Sequence, residues 1–268
     1  MGIKLSSPLF TIPGIIEGRF LGLLLNVILV LLVIYYMRAG RLPYMRRVAG
    51  LDAIEEAVGR SAEMGRPVVC SYGIGGFDYW TVAALAVLGY VARLCARTGT
   101  RLIVPTGGSD SSLIVRPVAV ETVRTAYLLE GKEEEFDDKD LPFLSGQQYA
   151  YTGGYIGILQ RARPGAVIML GSHYSEAMNI TETANAVGSL TITTGCYASN
   201  LACLACASDY ILIGEEGTAA GAYLSEDPAQ RASFRAQDIY KWIALAFLIL
   251  GLIAINAGSD FFVRLLAT

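Results

Sequence analysis

The chain has 268 residues, of which 53% are hydrophobic, with a mean hydropathy of +0.46 and a formal net charge of −3. This charge provides no basic field for nucleic acid, so we expect no nucleic-acid partner. Five cysteines, odd in number and irregularly spaced, argue against a disulfide scaffold and favour reduced thiols in the cytoplasm.

The first predicted element is a transmembrane helix over residues 20–37, preceded by a short extracytoplasmic tail at 1–19. The stretch has no charged residue and one asparagine, Asn26. At about 1.5 Å per residue it nearly crosses a hydrocarbon core of about 30 Å. A cleaved signal peptide fits less well, because the positive residues follow the apolar run.

A second transmembrane helix is predicted at 242–258, followed by a short tail at 259–268. The apolar run is short and contains Asn256, so a buried or interfacial helix is the alternative. Both predicted spans have more Lys and Arg on the side of the central segment, which places residues 38–241 in the cytoplasm of a prokaryotic plasma membrane and both termini outside. The cations on that side are Arg38, Arg41, Arg46, Arg47, Arg231, Arg235 and Lys241; the opposite sides carry Lys4, Arg19 and Arg264.

The central segment alternates short apolar runs with helical patterns, after an amphipathic helix predicted at 51–64. This alternation is typical of parallel β-α-β units, and continuous apolar strands indicate a sheet covered on both faces. We therefore expect an α/β domain with an open, mostly parallel Rossmann-like sheet and helices on both faces, flanked by the two transmembrane helices. The predicted strands are 68–72, 101–105, 166–170, 189–194 and 209–213, and the helices lie at about 77–97, 112–131, 173–186, 197–207 and 217–224.

Glycine turns follow these strands, and in a parallel sheet all of them lie on one edge, where ligands bind. The first turn supplies Gly73, Gly75 and Gly76 as candidate ligand-binding residues. Asp78 stands where a dinucleotide fingerprint needs its third glycine, and the chain has no phosphate-loop lysine. Asp78 is instead expected to cap the following helix.

The turn T-G-G-S-D-S-S at 106–112 offers hydroxyl and backbone N–H groups that suit a small anion such as phosphate or carboxylate. Its candidate ligand-binding residues are Thr106, Gly107, Gly108 and Ser109. The alternative is that its Ser and Asp side chains cap the next helix.

Three residues are catalytic candidates. His173 precedes Glu176 by three positions, so a general base with an orienting carboxylate is conceivable, against a structural or capping role. Glu215 and Glu216 follow the last strand, where they suit acid–base chemistry or the first turn of a helix.

No metal site and no cofactor are expected. Cys196, Cys203 and Cys206 lack an obvious fourth ligand and fit small buried thiols among alanines better. The acidic stretch at 130–140 is expected to be a solvated loop, because its carboxylates lack the spacing of a calcium loop.

The runs D-Y-I-L-I-G-E-E-G-T-A-A-G-A-Y-L-S-E-D-P (209–228), L-D-A-I-E-E-A-V-G-R-S-A-E-M-G-R-P-V (51–68) and G-S-H-Y-S-E-A (171–177) carry a resemblance. The chain resembles, over about 45–230, an uncharacterised family of bacterial and archaeal membrane proteins catalogued as a domain of unknown function. The resemblance implies a prokaryotic membrane protein and transfers no catalytic residue.

From these features we expect a membrane-anchored structural protein that homo-oligomerises through its cytoplasmic α/β domain, with the lipid bilayer as its other partner. The alternative is a membrane-tethered sensor module that binds a small anion or nucleotide at the glycine turns. An enzyme using His173, Glu215 or Glu216 is a further alternative.

Overall fold

The computed structural model describes residues 17–39, 48–108, 112–225, 228–259 and 261. The chain divides into two compact units, Met45–Ser225 and Met1–Tyr44 with Glu226–Thr268. In chain order the elements are α1 (Glu17–Ala39), α2 (Ala49–Glu63), β1 (Val68–Gly73), α3 (Tyr79–Thr98), β2 (Leu102–Ile103), β3 (Thr106–Gly107), α4 (Ser112–Leu129), two 3₁₀ turns (Glu133–Glu135 and Asp138–Asp140), β4 (Phe143–Ser145), α5 (Gln148–Ala162), β5 (Ala166–Ser172), α6 (Glu176–Ala186), β6 (Leu190–Gly195), α7 (Ala198–Ala207), β7 (Tyr210–Ile213), α8 (Glu215–Ser225) and α9 (Pro228–Asn256).

The Met45–Ser225 unit is built on a parallel sheet that has, within the described residues, five strands in the order β2-β1-β5-β6-β7. Val68 of β1 lies opposite Leu102 on one side and Ala166 on the other, which fixes the register of the central strands. A separate parallel pair joins β3 to β4, with Thr106 opposite Phe143. Because every strand of the larger sheet runs the same way, their carboxyl ends share one edge.

Both faces of the sheet are covered by helices. Alternate residues of β1 enter different hydrophobic clusters, since successive side chains of a strand point to opposite faces. Cys70 and Tyr72 belong to the cluster that includes α2, α3 and α4, whereas Val69 belongs to the cluster that includes α5 and α6. Strands buried on both sides explain the near-continuous apolar runs in the sequence.

The structure confirms the predicted α/β class and all five predicted strands, although β2 has only two residues. Among the described residues, the strands β3 and β4, the helix α5 and the two 3₁₀ turns were not predicted. The helix α5 contains Gly153, Gly154 and Gly157, which weaken a helical pattern by about 1 kcal/mol each relative to alanine. Burial of Tyr151, Tyr155 and Leu159 outweighs this low propensity.

In the other unit, α1 and α9 pack against each other. The segment Arg231–Asn256 of α9 is long and apolar enough to cross a membrane, and none of its most apolar window is buried. The apolar part of α1, Gly22–Arg38, is shorter, and α3 passes the same length test but is a buried helix of the α/β unit. Much of the predicted tails at 1–19 and 259–268 lies outside the described residues.

Candidate functional site

The candidate site lies at the carboxyl-end edge, which we define as the chain following the carboxyl ends of β1, β5, β6 and β7. After β1 the chain crosses to β2 on one side, whereas β5, β6 and β7 extend the sheet on the other. The direction of strand order therefore reverses between β1 and β5. In open α/β sheets this is the position where ligands bind.

A buried polar network occupies this reversal point, and we call Ser71, Tyr151, His173 and Glu176 the His173 cluster. The Ser71 hydroxyl oxygen lies 3.2 Å from Nε2 of His173 and 3.1 Å from the Tyr151 hydroxyl. Nδ1 of His173 lies 3.4 Å from Oε1 of Glu176, which is ion-pair distance but outside hydrogen-bonding geometry. Four residues from β1, α5, α6 and the turn after β5 thus form one connected set.

Glu176 is a carboxylate held inside the protein, with only 2% of the residue exposed. Burial alone would raise its pKa, but interaction with His173 and hydrogen bonds from the Tyr174 backbone N–H and Gln148 lower the pKa below its usual value. These donors contact the carboxylate at 2.9 Å and 2.5 Å. The ionised form is therefore the one that the site stabilises.

The order carboxylate, imidazole and hydroxyl is that of a relay that activates a serine nucleophile. Here Ser71 is 1% exposed, and its oxygen also accepts a hydrogen bond from the Gly73 backbone N–H at 3.2 Å. The hydroxyl is therefore enclosed by partners. The network holds the ends of β1 and β5 in register and presents no open nucleophile.

The predicted glycines Gly73 and Gly75, at and just after the end of β1, pack against Ser172, the last residue of β5. Gly73 has a positive φ of 95°, and a Cβ there would come within 2.6 Å of the Ser172 backbone N. A Cβ on Gly75 would overlap the Ser172 side chain. Asp78 caps α3 as predicted, accepting from the Thr81 N–H at 2.8 Å, and its other oxygen accepts from the Ser172 hydroxyl at 2.6 Å.

The residues of the second predicted glycine turn also pack closely against other segments of the α/β unit. A Cβ on Gly107 would overlap the Tyr151 ring, and one on Gly108 would overlap the Ile74 carbonyl. The Thr106 hydroxyl donates to the Pro142 carbonyl at 3.0 Å. Ser109 lies outside the described residues. Ligand binding by these residues, and by Gly73, Gly75 and Gly76, stays a prediction.

Glu215 and Glu216 lie in the first turn of α8, where negative charge is stabilised. Oε2 of Glu216 accepts from the Ile213 backbone N–H at 3.2 Å. They follow β7, which is separated from β5 by β6, so roughly 10 Å of sheet lies between them and the strand that leads to His173. The structure does not join the two sets of catalytic candidates.

The cysteine prediction is wrong in part. Cys206 is exposed and Cys203 half-buried, because α7 buries only Asn200 and Leu204. Cys196 is largely enclosed; its thiol donates to the Gly171 carbonyl at 2.8 Å, and burial raises its pKa to about 12. Within the described residues, no group of three or more His, Cys, Asp or Glu is placed to hold a metal ion.

Sequence patterns missed most partners of His173. Ser71 reads as an ordinary member of an apolar strand, and Tyr151 lies on the unpredicted α5. Besides Nδ1 of His173, buried side-chain polar atoms without a hydrogen-bond partner occur, among the described residues, in Tyr72, Arg116, Tyr155, Thr194 and Asn200. A polar residue inside an apolar run, such as Ser71, was the available signal.

The chain belongs to a family of proteins defined by a shared domain. The family model described as "Domain of unknown function (DUF6754)" matches residues 16–266. No curated protein and no solved structure matches the chain significantly.

Proposed function

We propose that this chain, which belongs to the DUF6754 family, is a membrane-anchored α/β protein that binds a small ligand at its carboxyl-end edge. The proposal of ligand binding rests on one observation: the His173 cluster is buried at the point where the strand order reverses. Buried ionisable groups with specific partners concentrate at functional sites, and open parallel sheets bind ligands at this position. In this proposal the sheet is Rossmann-like.

The membrane anchor is supported by the exposed apolar surface of α1 and α9. Large side chains such as Leu23, Leu31, Leu248 and Leu252 are exposed, which in water would be unfavourable for so many neighbouring residues. The amide of Asn26 donates to the Gly22 carbonyl, and that of Asn256 to the Leu252 carbonyl, each at 2.8 Å. Both polar side chains thus have a partner in their own helix, as a lipid environment requires.

The topology we propose follows the positive-inside rule. Residues 38–241 lie in the cytoplasm of a bacterial or archaeal plasma membrane, with both termini outside. The test is labelling of single cysteines at 2 and 266, and of the native Cys206, by a membrane-impermeant maleimide on intact cells, in a chain otherwise lacking cysteine. We expect labelling at the two ends and none at Cys206 until the cells are lysed; labelling of Cys206 on intact cells would contradict the topology.

The ligand proposal is tested by thermal-shift screening of the full chain in detergent. The panel contains nucleotides, sugar phosphates and small carboxylates. We expect at least one compound to raise Tm in a saturable way, with a smaller rise for Ser71→Ala than for the control Thr125→Ala on the exposed face of α4. If no compound stabilises the native chain, the ligand proposal is wrong.

Self-assembly through the α/β unit is a second candidate, favoured by large side chains exposed near the carboxyl-end edge. Phe77 is 63% exposed and Tyr149 is 81% exposed, and Tyr79 is similarly exposed. Exposed aromatic residues of this kind are enriched at protein interfaces. Mass photometry of the chain in nanodiscs tests it: we expect oligomers that dissociate on Phe77→Ser with Tyr149→Ser. A native chain that is monomeric at every concentration would contradict self-assembly.

A further inference from the structure

Two tyrosine rings are stacked on each other at the carboxyl-end edge. Tyr174 follows the end of β5 and Tyr197 follows the end of β6, and their ring centroids lie 5.2 Å apart with an angle of 16° between the ring planes. Tyr174 is 42% exposed even with this contact in place, and Tyr197 is half-buried. The pair therefore forms an aromatic surface that a ligand can reach from solvent.

Hydrogen bonds fix the two turns that carry these rings. The backbone N–H of Tyr174 donates to Oε1 of Glu176 at 2.9 Å, which ties this turn to the His173 cluster. Asn200, in the first turn of α7, joins the two turns to each other. Its side-chain amide donates to the His173 carbonyl at 2.8 Å, and its backbone N–H donates to the Tyr197 carbonyl at 3.2 Å. The aromatic surface is therefore held in place before any ligand binds, which lowers the entropic cost of binding.

The ionisable side chains at this edge are acidic. No lysine or arginine occurs in the segments that follow β1, β5, β6 and β7, which are 74–80, 173–178, 196–201 and 214–218. The same segments contain four carboxylic acids: Asp78, Glu176, Glu215 and Glu216. An ionised carboxylate accepts hydrogen bonds and donates none. The composition of the edge thus favours a ligand that offers N–H donors over a ligand recognised by its negative charge.

We propose that the ligand at the carboxyl-end edge contains a planar heteroaromatic ring with N–H donors, of the nucleobase class, which stacks on the Tyr174–Tyr197 pair. This inference rests on the proposed function, because it names the ligand class of the same site. Every nucleobase has a π face that stacks on aromatic side chains without needing a charge. Because the edge has no lysine or arginine, the ring is the recognised part of the ligand, and a phosphate group adds little.

The test is saturation-transfer difference NMR of the full chain in detergent, titrated separately with adenosine, guanosine, cytidine and uridine. We expect saturable binding of at least one nucleoside, with stronger saturation of its base protons than of its ribose protons. The corresponding 5′-monophosphate is expected to bind no more tightly, since the edge has no lysine or arginine to pair with phosphate. Ribose 5-phosphate lacks the ring and is expected not to bind.

Tyr174→Leu removes the exposed ring and is expected to weaken nucleoside binding about 10- to 100-fold, whereas Tyr174→Phe keeps the ring and is expected to stay within about 3-fold of the native chain. Tyr240→Leu is the matched control, because Tyr240 lies on α9 and is 38% exposed. This variant is expected to bind as the native chain does. Tyr174→Trp enlarges the stacking surface and is expected to tighten binding, which keeps the test decisive if Tyr174→Leu fails to fold.

Equal affinities for the native chain and Tyr174→Leu would overturn the proposal, and so would weaker binding by Tyr174→Trp. If the thermal-shift panel gives a hit that has no ring and no nucleoside binds, the inference is wrong and the proposed function stands. If neither a nucleoside nor any compound of that panel binds, the proposed function fails and this inference fails with it.

Discussion

The Ser71 hydroxyl lies 3.2 Å from Nε2 of His173, although the two residues are 102 positions apart in the sequence. Parallel pairing of β1 with β5 brings them together. The same pairing brings the turn after β1 against the turn after β5, where Asp78 accepts from Ser172. The polar network is therefore a consequence of strand order, and its stability is expected to be coupled to that of the central strands.

Replacing Ser71 with alanine is expected to destabilise the α/β unit by about 1–3 kcal/mol. The substitution leaves the Tyr151 hydroxyl and Nε2 of His173 without a partner that they have in the native chain, and both residues are buried. The measurement is urea unfolding of the full chain in detergent, followed by tyrosine and tryptophan fluorescence. Ser199→Ala, on the exposed face of α7, is the control; equal midpoints for the two variants would contradict a structural network.

Glu176→Gln is expected to change how stability depends on pH. Because the folded pKa of Glu176 lies below its usual value of 4.5, the native carboxylate contributes stability above that value and loses it as pH falls through the folded pKa. The variant should be less stable than the native chain at pH 7, and the difference in Tm should narrow in acid. A difference in Tm that is constant from pH 7 to pH 4 would contradict the inferred shift.

Gly171→Ala is expected to be far more damaging than Gly188→Ala. Both glycines have a positive φ, 80° and 75°. Each substitution therefore introduces a similar backbone strain, which costs about 1–2 kcal/mol. At Gly188 the new Cβ meets nothing within 4 Å, whereas at Gly171 it overlaps the Tyr72 carbonyl oxygen and forces β1 and β5 apart. We expect a total loss above about 4 kcal/mol at Gly171, measured by chemical unfolding; similar losses at both positions would mean that the strands separate easily.

Cysteine reactivity is expected to follow burial. The thiolate is the reactive form, and burial raises the pKa of Cys70 to about 12 and that of Cys95 still further. Cys206 is exposed and should react first with N-ethylmaleimide at neutral pH, read by intact mass. Cys70 and Cys95 should react only after denaturation. If Cys95 reacted early, α3 would not be buried in the core as the structure has it.

Part of this arrangement was readable in the sequence. His173 and Glu176 are three residues apart, so their pairing follows from local spacing, and the N-cap role of Asp78 follows from its place before a helix. The contact between Ser71 and His173 could not be predicted from the sequence, because it depends on which strands are neighbours in the sheet. Tyr151 was missed for a different reason: the glycines of α5 hide a helix that tertiary packing stabilises.

Anion binding at the glycine turn that contains Thr106 stays a prediction. Thr106 was named from its local sequence, whereas the Pro142 carbonyl to which its hydroxyl donates is 36 positions away and belongs to no local motif. Sequence periodicity reports which face is buried, and it is silent on which buried polar atoms lack a partner.

The most direct test of the central claim is hydrogen–deuterium exchange of the full chain in nanodiscs, with and without the compound that gives the largest thermal shift. Ligand binding at the carboxyl-end edge predicts slower exchange in residues 71–78 and 171–177, with α1 and α9 unchanged. Exchange that is unaltered in these two segments, or slowed only elsewhere, would contradict ligand binding at the reversal of strand order.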